Sequence, residues 1–162
     1  MFQEEVISLP GHPAVTLRQL DPVRDYDGGF LTLLNKLTEV GVNSVTKEAF
    51  IARAQRMSPH RVVLVAFQED VAKVVGTGSV FIELKFSRDL GAVGHIEDVI
   101  VDESVRGTSL GRVLIDRLVR YATEGSARCY KVVLDCKEHN TKFYEKCGFH
   151  RAEVCMRIDS KM

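Results

Sequence analysis

The stretch Gly94–Gly111, GHIEDVIVDESVRGTSLG, constrains this chain more than any other. It opens on His95-Ile96-Glu97-Asp98-Val99-Ile100-Val101, dense enough in β-branched residues to read as a buried strand. An acidic turn follows, then the loop Arg106-Gly107-Thr108-Ser109-Leu110-Gly111 and the amphipathic run LGRVLIDRLVRYA. Backbone N–H groups of a loop that opens onto a helix are free to hold a phosphate, and the helix dipole favours negative charge there. Standing alone, the pattern also describes an ordinary strand–loop–helix connection.

Residues 1–162 read as a single domain, long enough to bury roughly 70% of its unfolded surface without staples. Twenty-two basic residues balance twenty-two acidic ones, so no global field recruits nucleic acid or an anionic membrane, and any anion site must be local. No apolar run reaches the roughly 20 residues that span a bilayer, and the N-terminus lacks a signal-peptide core. Cys129, Cys136, Cys147 and Cys155 form no CxxC pair and read as reduced thiols of a cytoplasmic protein. The five histidines are scattered, so no metal is expected.

In chain order, residues 1–13 read as a loose lead-in broken by Pro10 and Pro13, and Val15–Leu20 as a first strand. Asp21-Pro22 starts a helix that Gly41 ends. Thr46 caps a second helix with Phe50, Ile51 and Met57 inward, closed by Pro59. Arg61–Phe67 and Val71–Phe86 form a hairpin, with Gly76 and Gly78 marking a bulge or close approach. Ser87–Ala92 is a polar connection into the strand Gly94–Val101. Helix Leu110–Thr123, strand Tyr130–Cys136, a short helix from Asn140 to the Gly148 stop, and a last strand Arg151–Ile158 follow. The class is α/β (α+β): one central, mixed, mostly antiparallel sheet flanked by about four helices.

Order alone leaves function open. Arg106-x-x-Ser109-x-Gly111 resembles the pyrophosphate loop of the GNAT (Gcn5-related) N-acetyltransferases, Gln/Arg-x-x-Gly-x-Gly/Ala, and departs from it at Ser109. Asn140, Tyr144 and Cys147-Gly148-Phe149 resemble that family's closing element. LTEVG (37–41), IELKF (82–86), GHIEDVIV (94–101) and LDCKEHNTKFYEKCGF (134–149) resemble one branch of it, the glucosamine 6-phosphate N-acetyltransferases, over nearly the whole chain.

The resemblance implies a GNAT fold with acetyl-CoA as the acetyl donor. The amides from Gly107 through Thr108, Ser109 and Leu110 to Gly111 would cradle the pyrophosphate, with Arg106 and Arg112 adding charge and Asn140 also at the donor site. The pantetheine would pair with the backbone of Val99, Ile100 and Val101, whose side chains read as core. Tyr144 is the implied general acid, because a tyrosine near 10 stays protonated beside a departing thiolate whose thiol has a pKa of about 8.5.

The implied acceptor is the amine of glucosamine 6-phosphate. Such an amine should titrate near the α-amino value of about 7.7–8.0, leaving roughly a tenth neutral at pH 7, against under a thousandth of a lysine. A mild base therefore suffices. Glu97, Asp98 or Asp135, or water and carbonyls near them, would orient the amine and take its proton; Glu97, Asp98, Val99 and Asp135 would contact the sugar. Lys85, with Arg88 behind it, would meet the phosphate, and Thr38 is a further contact. The family's C-terminal arginine falls on Arg157, or, aligned through Met156, on Asp159. Cys136 reads as a buried structural thiol rather than an acyl carrier. The family also implies a homodimer joined through the last strand. The alternatives are a GNAT acting on a protein or polyamine amine and a non-catalytic acyl-CoA-binding module.

Overall fold

The computed structural model describes residues 2–57 and 59–160. Six strands form one sheet in sequence order: β1 (Glu5–Leu9), β2 (His12–Gln19), β3 (Arg61–Gln68), β4 (Lys73–Leu84), β5 (Ala92–Val101) and β6 (Lys131–Val133). Every neighbouring pair is antiparallel except β5–β6, which is parallel. The helices are α1 (Pro22–Asp27), α2 (Phe30–Leu34), α3 (Lys47–Met57), α4 (Ser87–Leu90), α5 (Leu110–Glu124) and α6 (Thr141–Lys146).

The lead-in expected over residues 1–13 is instead β1 and the start of β2. Pro10-Gly11 is the turn between them, with Gly11 at φ +75°, so the proline shapes a hairpin rather than breaking a strand. Asp21 caps α1 as expected, accepting from the amides of Val23 (3.0 Å) and Arg24 (3.1 Å). That helix does not run on to Gly41. It breaks at Gly28-Gly29, where Gly29 lies at φ +81° and a Cβ on Gly28 would sit 2.8 Å from the Phe67 ring. α3 follows Thr46, whose hydroxyl accepts from the Ala49 amide at 3.3 Å.

The sheet buries both faces. α5 lays Leu110, Leu114, Ile115, Leu118 and Ala122 on one side, against Leu64, Val75, Val80 and Ile96. Phe30, Leu33 and Phe50 of α2 and α3 cover Val65, Phe67 and Val74 on the other. Between α1 and β2, the fully buried Asp25 accepts two bonds from Arg18 (2.7 and 2.9 Å) and one from the Asp21 amide (2.8 Å).

Three further expectations need correction. The strand expected over Tyr130–Cys136 is only Lys131–Val133, because its one neighbour, β5, pairs with it through Val93–His95 alone. The connection Ser87–Ala92 contains α4, one left-handed turn with Arg88 at φ 57° and Asp89 at φ 54°. Arg151–Ile158 is not a strand. Among the described residues no strand lies beside it, and Val154, Met156 and Ile158 are 85%, 88% and 96% exposed.

Candidate active site

The site begins where β5 loses one neighbour. Parallel pairing runs Val93–Lys131, Gly94–Val132 and His95–Val133, then stops. From Ile96 to Val101, β5 is bonded to β4 alone, and its other edge faces the segment that follows β6. Midway along this free edge the strand bulges: Ser79 pairs with Glu97 and Thr77 with Ile100, so Asp98 and Val99 together oppose Gly78. Asp98 takes φ +55°, a left-handed conformation that aspartate tolerates better than most residues. Gly78 is needed opposite, because a Cβ there would lie 3.0 Å from Leu118 and 3.3 Å from the Val99 side chain.

The bulge turns Glu97 and Asp98 outward, and both are exposed. Burial around its carboxyl, with the facing charges of Asp135 and Asp98, pushes the Glu97 pKa up, while Arg61 and His95 partly offset this. The expected trio Glu97, Asp98 and Asp135 is thus brought together. Sequence reasoning missed Arg61, which enters from β3: its Nη1 donates to the Ser79 hydroxyl at 3.2 Å and lies 3.8 Å from the Asp98 carboxylate. Ser79 in turn donates to the Glu97 carbonyl at 3.3 Å. No sequence signal marks it, because Arg61 heads a strand whose other residues read as core.

Tyr144 stands on α6, packed against the core beside Phe149. It packs its ring edge-on against Phe143 (5.0 Å between centroids) and Phe149 (6.1 Å), with Gly148 at φ +92° ending the turn. Burial pushes the Tyr144 pKa up, with the Cys136 and Cys147 thiols adding to the effect. Cys136 is exposed, not the buried structural thiol expected. Asn140 occupies the cap position of α6, without a side-chain bond to that helix.

The loop 106–111 leads into α5. Gly107 is at φ +80°. The Thr108 hydroxyl donates to the Val105 carbonyl at 2.7 Å and accepts from the Leu110 amide at 3.3 Å. The Val113 amide meets the Ser109 carbonyl at 3.0 Å, so the Gly111 and Arg112 amides precede the first intrahelical bond of α5. A Cβ on Gly111 would lie 3.3 Å from Phe143 and 3.6 Å from Val101, so loop, β5 and α6 converge at one point. Arg106 and Arg112 are exposed, Arg106 3.3 Å from Glu103. Ile100 is buried, and Val99 and Val101 are half-buried against the core as expected.

A cavity of about 470 Å³ opens between α2, α3 and the sheet, lined among others by Leu34, Val40, Phe50, Thr77, Ser79 and Asp98. Thr38 is exposed in the loop beside it. The expected phosphate cations stand elsewhere. Lys85 lies just past the end of β4, roughly 20 Å from the bulge at strand rise. Its ammonium rests 2.5 Å from Glu83, which also meets His95 Nε2 at 2.9 Å. Arg88 covers the Tyr130 ring at 5.7 Å, and the exposed Arg157 pairs with Asp159 at 2.8 Å. Neither they nor Lys85 are brought to Asp98 within one chain. Among the described residues no group of three or more His, Cys, Asp or Glu side chains is placed to hold a metal, and no helix is long and apolar enough to cross a membrane. The cysteines are free thiols.

The acetyltransferase (GNAT) family profile matches residues 30–149, most of the chain. The chain belongs to the GNAT family. Glucosamine 6-phosphate N-acetyltransferase 1 of Dictyostelium discoideum is 41% identical over 147 residues, covering 89% of this chain and 90% of that one. Glucosamine 6-phosphate N-acetyltransferase of Arabidopsis thaliana is 41% identical over 143 residues, 86% of this chain and 93% of that one. The crystal structure of the Arabidopsis thaliana enzyme superposes with a TM-score of 0.84 at 39% identity, covering 91% of this chain and 99% of that chain. The sheet that parts at β5–β6 is thus the GNAT architecture expected from sequence.

Proposed function

We propose that this GNAT enzyme, a single domain, transfers acetyl from acetyl-CoA to the amine of glucosamine 6-phosphate, giving N-acetylglucosamine 6-phosphate and CoA for UDP-N-acetylglucosamine synthesis in the cytoplasm. Relatives sharing two-fifths of its residues over about nine-tenths of both chains carry that activity in their names, and this observation carries the choice of acceptor.

The donor fits what the chain offers. The free edge of β5 at Val99–Val101 can pair with an extended pantetheine as a further strand would. The Gly107–Gly111 amides at the start of α5 suit a pyrophosphate, with Arg106, Arg112 and Asn140 beside it. The reaction as proposed uses no metal. The amine, held by Glu97, Asp98 and Asp135, loses its proton to one of them or to water and attacks the thioester carbonyl directly in a ternary complex. A backbone N–H at the bulged edge of β5 donates a hydrogen bond to the developing oxyanion. The C–S bond breaks, and Tyr144 gives its proton to the sulfur, a role that its raised pKa suits.

We further propose a homodimer joined through residues 151–158, whose Val154, Met156 and Ile158 are exposed in one chain. Because Lys85 stands seven residues beyond Gly78, past the end of β4, with Arg88 further on in α4, we assign them and Arg157 to the phosphate across the dimer, and Thr38 to the sugar within one chain. Release of free thiol from acetyl-CoA tests the reading, with glucosamine 6-phosphate beside glucosamine, spermidine and a lysine peptide. A strong preference for the phosphosugar is expected. Turnover of the peptide or polyamine alone would overturn the acceptor, and CoA binding without any turnover would overturn the enzyme.

A further inference from the structure

Asp102, the residue directly after β5, has no part in the chemistry above, yet it is the most heavily engaged carboxylate near the site. It is 3% exposed. Oδ1 accepts from the Ser104 amide (2.9 Å) and hydroxyl (2.7 Å); Oδ2 accepts from Lys36 Nζ (3.1 Å) and Lys73 Nζ (3.2 Å). Its own amide donates to Val75 O at 2.8 Å, and its carbonyl accepts from the Val105 amide at 3.1 Å. Burial alone would raise its pKa, but the Ser104 donors and both ammoniums outweigh that and hold the carboxyl far below the usual range.

These bonds join three segments. Ser104 lies in the turn that delivers Arg106–Gly111, the donor loop. Lys73 starts β4. Lys36 belongs to the loop after α2, which also holds Thr38 and sends Val40 and Gly41 to line the cavity that reaches Asp98. The two lysines reach the same oxygen from different segments, and only Lys36 comes from the loop beside the cavity, the proposed acceptor wall.

We propose that Asp102 is the positioning residue of the donor loop, and that the Lys36–Asp102 ion pair couples it to the acceptor wall, so that the two substrates bind cooperatively. Ordering one loop by its ligand then lowers the entropy cost of ordering the other. The inference rests on the proposed acceptor.

The test measures CoA affinity by calorimetry, with and without saturating glucosamine 6-phosphate, in the wild type, Lys36→Met and Lys73→Met. Both lysines are about half exposed, so neither variant threatens folding. In the wild type the sugar should tighten CoA binding several-fold, at the lower end of the roughly 5–150-fold range of allosteric couplings. Lys36→Met should bring that factor to near one, while Lys73→Met keeps it. Asp102→Asn should abolish it and raise the KM for acetyl-CoA about tenfold, with a much smaller change in kcat, as expected where a charged hydrogen-bond network set the loop. Equal effects of the two lysine variants, or an unchanged factor in Lys36→Met, would overturn the link. Turnover of glucosamine 6-phosphate by the wild type separates the cases. Turnover without any coupling overturns this inference alone; absence of turnover overturns the acceptor on which it rests.

Discussion

Gly78→Ala tests whether the bulge, rather than its carboxylates alone, matters to catalysis. The added methyl would stand 3.0 Å from Leu118 Cδ1 and 3.3 Å from Val99 Cγ2. Leu118 is fully buried, so part of the strain should pass to Val99, whose backbone forms the free edge beside Asp98. Overpacking of this kind costs about 1–3 kcal/mol, and each kcal/mol lowers the Tm of a chain this size by roughly 2–4 °C. Because a shift of about 1 Å in reacting groups can cost ~100-fold, a displacement of a few tenths of an ångström should lower kcat about tenfold. Gly94→Ala is the control. Its methyl would also come within 3.0 Å of α5, at Ala122 Cβ, and 3.4 Å from Val80 and Val132, but in the paired half of β5, away from the bulge. Thermal unfolding should show comparable losses for the two variants, and steady-state kinetics should show a kcat loss for Gly78→Ala only. Equal kcat values at matched temperature, well below both melting points, would refute the reasoning.

Tyr144→Phe should lower kcat by about 10²–10⁴ with little change in KM for acetyl-CoA, and stopped-assay kinetics would show it. Because burial raises the Tyr144 pKa, the wild-type alkaline limb should fall above the ordinary tyrosine value of about 10. Glu97, with its pKa raised on folding, binds its proton more tightly in the folded state; its stabilising contribution is present at low pH and lost as pH rises through the folded pKa. Glu97→Gln should therefore raise the folding stability slightly at pH 7–8, by about 0.5 kcal/mol at most given the exposure of the side chain, lose that gain below about pH 4, and reduce turnover. Asp25→Ala leaves Arg18 buried and unpaired, and urea denaturation should show a loss of about 3–5 kcal/mol.

Much of the fold was legible because local chemistry and tertiary outcome agree: the Asp21-Pro22 cap, the β3–β4 hairpin and the strand–loop–helix from 94 to 124 stand where periodicity puts them. The misses have physical causes. Pro10-Gly11 carries the same residues whether it breaks a strand or turns a hairpin, and only the register against Val15–Leu17 decides. Residues 151–158 alternate like a strand, but alternation says nothing of a partner strand, and among the described residues none lies beside them. The glycines of β4 pointed to a bulge or close approach, and both stand beside one: Val75, next to Gly76, is the extra residue against β3, whereas at Gly78 the extra residue is on β5, across the sheet. Arg61 and Asp102 were invisible as site residues because their meaning comes from partners 37 and 66 positions away in sequence.

What separates the site from the rest of the chain is a local conflict. In the core, β-branched residues, helix spacing and burial all favour the same structure. At the bulge they do not: a non-glycine residue takes a left-handed φ, three carboxylates crowd one edge, and a strand surrenders its neighbour for half its length. Each feature costs stability by itself. They persist because Gly78 makes room on one side, Arg61 and Ser79 tie the bulge on another, and Asp102 pins the strand end to three segments. A free β5 edge and a crowded carboxylate are the two things an acetyl donor and a protonated amine would satisfy on binding. The conflict is therefore evidence for the position of the reaction, independent of any motif.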